Sequence, residues 1–79
     1  MTTAAAFRAI RRRLGVSQAV LANAMDCSAV NVLYYERGQQ ISPERAKLLI
    51  AFANSKGLAI GFDHVYGDAQ LPEMPRSVA

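Results

Sequence analysis

The chain has 79 residues, a formal net charge of +3, and hydrophobic side chains at 52% of its positions. A chain of this length forms one domain, and its composition excludes the disordered and the disulfide-rich classes of protein. The single Cys27 cannot form an internal disulfide, and neither a secretory signal nor an apolar stretch of about 20 residues is present. We therefore expect a cytoplasmic globular domain with no membrane role.

The charges are distributed unevenly along the chain. Residues 1–60 contain eight Lys and Arg against three acidic residues, whereas residues 61–79 contain one basic and three acidic residues. A small basic body suits the binding of a polyanion, because each neutralised phosphate releases condensed counterions. The alternative is a charge excess that only keeps the protein in solution.

The first predicted helix spans Ala4–Leu14 and ends before Gly15, a typical helix-terminating residue. Its large apolar side chains recur every three or four residues, which places them in one stripe along the helix. Its last turn carries three consecutive arginines, and these complement the helix dipole. In the alternative interpretation, arginines of this helix flank a DNA backbone: Arg8, Arg12, and either Arg11 or Arg13.

Two short helices joined by a tight turn follow. The second helix is predicted over Gln18–Met25 with Ser17 as its cap, and the third over Ala29–Arg37 with Ser28 as its cap. Between them the chain turns at an aspartate, a residue that tolerates a left-handed backbone better than most. So short a turn predicts a steep angle between the two helices.

Ser42 and Pro43 mark the start of a fourth helix, which we predict over Pro43–Ser55. Its apolar face is wider than one contact requires, so either two elements cover it or part of it meets another subunit. A chain this small commonly gains stability by dimerisation, and we expect a homodimer. The surplus apolar side chains assigned to its interface are Leu48, Phe52, Leu58, Ile60 and Phe62.

The C-terminal part of the chain has a less regular pattern. Residues 58–62 alternate as a short strand does, whereas residues 62–66 have the spacing of one helical turn. We predict an extended segment followed by one turn of helix at residues 63–66. Residues 67–79 contain two prolines and few large apolar side chains, which predicts a flexible tail.

The sequence shows no catalytic or metal-binding constellation. His64 beside Asp63 is far more often a surface or half-buried pair than an acid–base site. Cys27 has no CxxC partner and no second histidine, so the ligand count excludes zinc. We expect no enzymatic activity, no cofactor and no small-molecule ligand.

The spacing of residues between Gln18 and Gly38 is the most specific pattern in the chain. It reads Gln, two residues, Leu-Ala, five residues, Ser, three residues, Val, two residues, Tyr-Glu, one residue, Gly. Over about residues 4–56 the chain thereby resembles the Cro and phage-repressor (XRE) helix-turn-helix family. This resemblance implies an all-α fold, a compact bundle of four or five helices that contains a helix-turn-helix. We assign residues 1–66 to this domain, with the short extended or one-turn helical segment, which the family does not settle, at its C-terminal end.

The resemblance also implies a transcriptional regulator, a Cro-like phage or prophage repressor, whose third helix lies in the major groove of double-stranded DNA. Such proteins usually act as dimers on a two-fold operator. Carried over by position, the base-reading residues are Ala29, Val30, Asn31, Leu33 and Tyr34. Gln18 is placed to touch a phosphate and to support the third helix. The full set expected at the DNA backbone is Gln18, Ser28, Arg12, Arg13, Arg37, Gln39 and Gln40.

The chain departs from the family pattern at three positions. Asp26 and Cys27 replace the usual Gly-Val of the turn, and Leu33 stands where the family often has Ser. The base-reading set has little hydrogen-bonding capacity and no arginine for the common contact with guanine, so contacts with thymine methyls and DNA shape gain importance. The apolar surface also suits a second class of function, a protein-interaction module such as an antitoxin or antirepressor.

Overall fold

The computed structural model describes residues 3–67 and residue 71, and these residues form five α-helices and no strand. The helices are α1 (Thr3–Leu14), α2 (Gln18–Ala24), α3 (Ala29–Glu36), α4 (Pro43–Ser55) and α5 (Phe62–Tyr66). The predicted fold class is confirmed, and the predicted ends of the first four helices lie within one residue of the observed ends. None of the described helices is long and apolar enough to cross a membrane.

Side-chain hydrogen bonds explain where α2, α3 and α4 begin, and backbone conformation explains where α2 and α3 end. Ser17, Ser28 and Ser42 each accept a hydrogen bond from the backbone N–H three residues later, at 3.2–3.3 Å. Each bond satisfies one of the donors that the first turn of a helix leaves unpaired. Asp26 adopts the predicted left-handed backbone, with φ of 57°, and Gly38 follows α3 with φ of 112°, a conformation that favours glycine.

The core lies where α3 packs on α1 and α2, α5 packs on α1 and α4, and α2 packs on α4. Its largest fully buried side chains come from all five helices and from three connections: Phe7, Ile10, Leu21, Met25, Val32, Ile41, Leu49, Leu58 and Val65. The Phe7 ring meets the Tyr35 ring edge-on with centroids 5.6 Å apart, which joins α1 to α3. This packing determines which side of α3 faces solvent.

The α5 helix is anchored to the connection between α3 and α4. The Tyr66 hydroxyl donates a hydrogen bond to the backbone oxygen of Ile41. His64 Nδ1 accepts a hydrogen bond of 3.0 Å from the N–H of Gly61, so this histidine caps the helix. Leu71 packs partly buried against the core, and the other residues of the predicted tail beyond Gly67 lie outside the described residues.

The burial pattern corrects two members of the expected dimer interface. Leu58 and Ile60 are only 0% and 7% exposed, because they belong to the core of the single chain. Their apolar surface is already covered, so it is not available to a second subunit. Leu48 and Phe62 remain 41% and 43% exposed, and Phe52 is half-buried.

Candidate nucleic-acid interface

A polar cluster, formed by Arg11, Gln18 and Glu36, joins α1, α2 and α3. The Glu36 carboxylate accepts a hydrogen bond from Arg11 Nε and another, of 2.8 Å, from Gln18 Nε2. Arg11 Nη1 also donates to the backbone oxygen of Val16 at 3.2 Å. The side chain of Glu36 is 8% exposed and that of Arg11 is 25% exposed. A single carboxylate therefore holds the end of α3 against the start of α2.

The electrostatics of the polar cluster favour the ionised carboxylate. Burial by itself raises the pKa of Glu36, because the charged form loses hydration. Hydrogen bonds from Arg11 and Gln18, together with the positive charges of Arg11 and Arg8, outweigh burial and bring the pKa of Glu36 below its ordinary value. The ion pair is therefore present at neutral pH.

The polar cluster bears on the sequence-based predictions for Arg11 and Gln18. Arg11 is a structural partner of Glu36, because its guanidinium group bonds to the Glu36 carboxylate and to the backbone oxygen of Val16. Its contact with the DNA backbone stays an untested alternative. Gln18 supports α3 as predicted, by bonding to Glu36, while its phosphate contact stays a prediction. The sequence pattern contained Glu36 but did not reveal which arginine meets it across 25 positions.

The side of α3 opposite the core is open to solvent. Val32, Tyr35 and Glu36 are buried, and with about 3.6 residues per turn they mark the inward side. Val30 and Tyr34 lie on the opposite side and are 54% and 47% exposed. Ala29 at the start of the helix is also exposed. We call these three residues, Ala29, Val30 and Tyr34, the outer face of α3.

The other two residues predicted to read bases are less accessible. Asn31 and Leu33 are half-buried. The Asn31 amide oxygen accepts a hydrogen bond of 3.2 Å from the hydroxyl of Ser28, the residue that caps α3. Ser28 was expected at the DNA backbone, and in the structure it is an exposed cap that also holds Asn31. Its phosphate contact stays a prediction.

Exposed polar and cationic side chains lie in the segment that follows α3 and in the last turn of α1. Arg37, Gln39 and Gln40 follow the end of the helix, and all three are exposed. Arg12 and Arg13 are exposed in the last turn of α1, which packs against α3. In protein–DNA complexes, side chains of these types make most of the contacts with phosphate, and side chains of the recognition helix contact the edges of the bases.

One stabilising contact at α3 has no counterpart in the sequence pattern. Arg45 Nη1, at the start of α4, donates a hydrogen bond of 3.2 Å to the Tyr35 hydroxyl. Tyr35 thus contacts the ring of Phe7 on α1 and the guanidinium group of Arg45 on α4.

Within residues 3–67 and at residue 71, no group of three or more His, Cys, Asp or Glu side chains is placed to hold a metal ion.

A family model described as a helix-turn-helix domain matches residues 4–54, well over half of the chain. Comparisons with curated proteins and with solved structures find no match. The matched segment begins in α1 and ends in the last turn of α4, so it contains the α2–α3 pair and the polar cluster. The match is consistent with the resemblance to Cro and the phage repressors. The chain therefore belongs to the helix-turn-helix domain family.

Proposed function

We propose that the protein is a sequence-specific DNA-binding regulator of transcription that inserts α3 into the major groove of operator DNA. The observation that carries this proposal is the outer face of α3, which is exposed to solvent. The core and the polar cluster fix the helix in the orientation that exposes this face. The exposed Arg37, Gln39 and Gln40 beside it suit contacts with phosphates. Membership in the helix-turn-helix family supports the same function.

The mechanism is binding without chemistry. The N-terminal caps of α2 and α3, together with the polar cluster, fix α3 in one orientation. Its side chains can therefore contact a base edge without a prior rearrangement. An operator occupied by the protein is inaccessible to polymerase or to a competing regulator. The protein would act in the cytoplasm as a small Cro-like repressor, encoded by a phage or prophage.

Retention of mixed genomic DNA fragments at increasing salt tests this function. We expect retention at low salt and a steep loss of affinity as salt rises, with a slope of about 0.9 on logarithmic axes for each phosphate contacted. The excess of basic residues in residues 1–60 provides the charges for these contacts. Absence of retention at low salt would contradict DNA binding.

Replacing Arg37 with alanine should weaken binding to all DNA sequences alike and lower the salt slope by about one. The reason is that an exposed guanidinium at the end of α3 suits a phosphate, which carries no sequence information. Affinities for several sequences, measured at several salt concentrations, check this. Lys56→Ala removes the same charge from the end of α4 and is the matched control. A change in sequence preference would place Arg37 at a base.

We also propose that two copies bind a two-fold operator. The exposed Leu48 and Phe62 support this, because large apolar side chains at a surface favour burial against a partner. Sedimentation at micromolar concentrations should show a dimer that Phe62→Ser weakens, while Val20→Ser, at an exposed apolar position on α2, leaves it intact. A monomer both alone and on the selected operator would remove the homodimer from the proposal.

The same outer face favours one second candidate, a protein-interaction module such as an antitoxin or antirepressor. Val30 and Tyr34 expose apolar surface that a protein partner could cover as well as a DNA groove could. The salt-dependent retention experiment separates the two candidates, because a module of this second kind needs no affinity for DNA.

A further inference from the structure

The outer face of α3 is poor in groups that can read the hydrogen-bonding pattern of a base pair. Val30 and Tyr34 lie one helical turn apart and are the exposed large apolar side chains of the helix. Ala29 beside them is also exposed. Among the three, only the Tyr34 hydroxyl can donate or accept a hydrogen bond. Polar recognition by this face is therefore limited to one hydroxyl group.

The remaining polar side chains of α3 each make a hydrogen bond within the protein, and the bond of Asn31 lies at the exposed start of the helix. The Glu36 carboxylate belongs to the polar cluster. The Tyr35 hydroxyl accepts a hydrogen bond from Arg45, and the Asn31 amide oxygen accepts one from Ser28. The α3 helix therefore offers a mainly apolar surface to any groove that it enters.

The major groove presents one feature that suits an apolar side chain, the methyl group on C5 of a pyrimidine. Thymine carries this methyl group, and 5-methylcytosine carries the same group on a G·C pair. Contact with it removes apolar surface from water and adds dispersion contacts. The exposed Arg37, Gln39 and Gln40, which follow α3 in the chain, and the excess of basic residues in residues 1–60 favour a polyanion rather than a protein as the occupant.

We propose that Val30, with Ala29 and Tyr34 beside it, selects operator DNA by the C5-methyl group of a pyrimidine in the major groove. This inference rests on the proposed function and specifies which chemical feature of the DNA the protein recognises. Loss of the methyl group beneath Val30 should lower affinity about fourfold, the effect of leaving one such group unburied.

The test begins with the operator selected from a random DNA pool by the full chain. Each thymine is then replaced in turn by deoxyuracil, which removes only the C5-methyl group. A second arm compares cytosine with 5-methylcytosine at G·C positions of the same operator. An effect in the first arm alone assigns thymine as the source of the methyl group. An effect in the second arm alone assigns methylated cytosine, and either result supports the inference.

The variant Val30→Ala links the methyl effect to the side chain. We expect the affinity ratio between methylated and unmethylated DNA to fall towards one in this variant, whose exposed position should leave the fold intact. Val20→Ala removes a comparably exposed valine from α2, and the ratio should persist there. A methyl effect that survives Val30→Ala would overturn the assignment of Val30.

The outcomes separate this inference from the proposed function. Specific binding in which no methyl group changes affinity by more than about twofold overturns methyl recognition and leaves DNA binding standing. Failure to select any DNA overturns both.

Discussion

Replacing Phe7 with alanine is expected to lower the free energy of unfolding by about 4 kcal/mol. Phe7 is among the largest fully buried side chains, and its ring packs edge-on against Tyr35. Alanine leaves a cavity between α1 and α3 that the neighbouring side chains fill only in part. At about 0.05–0.15 kcal/mol per residue, a chain of 79 residues has about 4–12 kcal/mol of stability, so this variant should lose about a third or more of it.

Urea denaturation followed by circular dichroism measures this loss. The matched control is Val20→Ala, at a 49% exposed position on α2, where we expect a loss of about 1 kcal/mol or less. DNA binding should fall with the folded fraction in Phe7→Ala, because α3 rests on this ring through Tyr35. A loss below about 1 kcal/mol would show that the core does not depend on Phe7.

Replacing Glu36 with alanine should cost about 3 kcal/mol, the lower end of the range for breaking a buried ion pair, since Arg11 is partly exposed. The substitution removes the acceptor of both Arg11 and Gln18 and detaches the end of α3 from α2. We therefore expect weaker DNA binding even under conditions in which the variant remains folded. Thermal unfolding and operator affinity, measured together, check both effects.

Two further variants show whether the loss comes from the unpaired charge. Glu44→Ala removes an exposed acid from the first turn of α4 and should cost less than about 1 kcal/mol. The double variant Arg11→Met with Glu36→Leu replaces the pair with apolar side chains and should recover much of the stability. Equal losses in Glu36→Ala and Glu44→Ala would contradict a structural role for the polar cluster.

The same cluster predicts how stability changes with acidity. The pKa of Glu36 is lowered from 4.5 in the folded protein. Its contribution is therefore complete above about pH 4.5 and is lost as the pH falls through the lower folded-state pKa. Glu36→Gln should show a smaller loss of stability between neutral pH and about pH 3. Identical pH profiles for the two proteins would contradict this.

Local features of the sequence were sufficient to predict the helices. The ends of α2 and α3 depend on Ser17 and Ser28, each of which bonds to a backbone N–H only three residues away. The left-handed turn at Asp26 and the end of α3 before Gly38 are also local preferences of single residues. The spacing of Gln18 to Gly38 was long enough to indicate the family.

The tertiary structure decided which of several equivalent side chains performs each task. The sequence offers three adjacent arginines at the end of α1, and packing alone brings Arg11 to Glu36. Alternation at residues 58–62 likewise does not distinguish a side chain covered by its own core, such as Leu58, from one exposed to solvent, such as Phe62. Capping and turn preferences act over a few residues, so the sequence by itself determined the helices. Burial and ion pairing depend on neighbours distant in the chain, so only the folded structure could assign them.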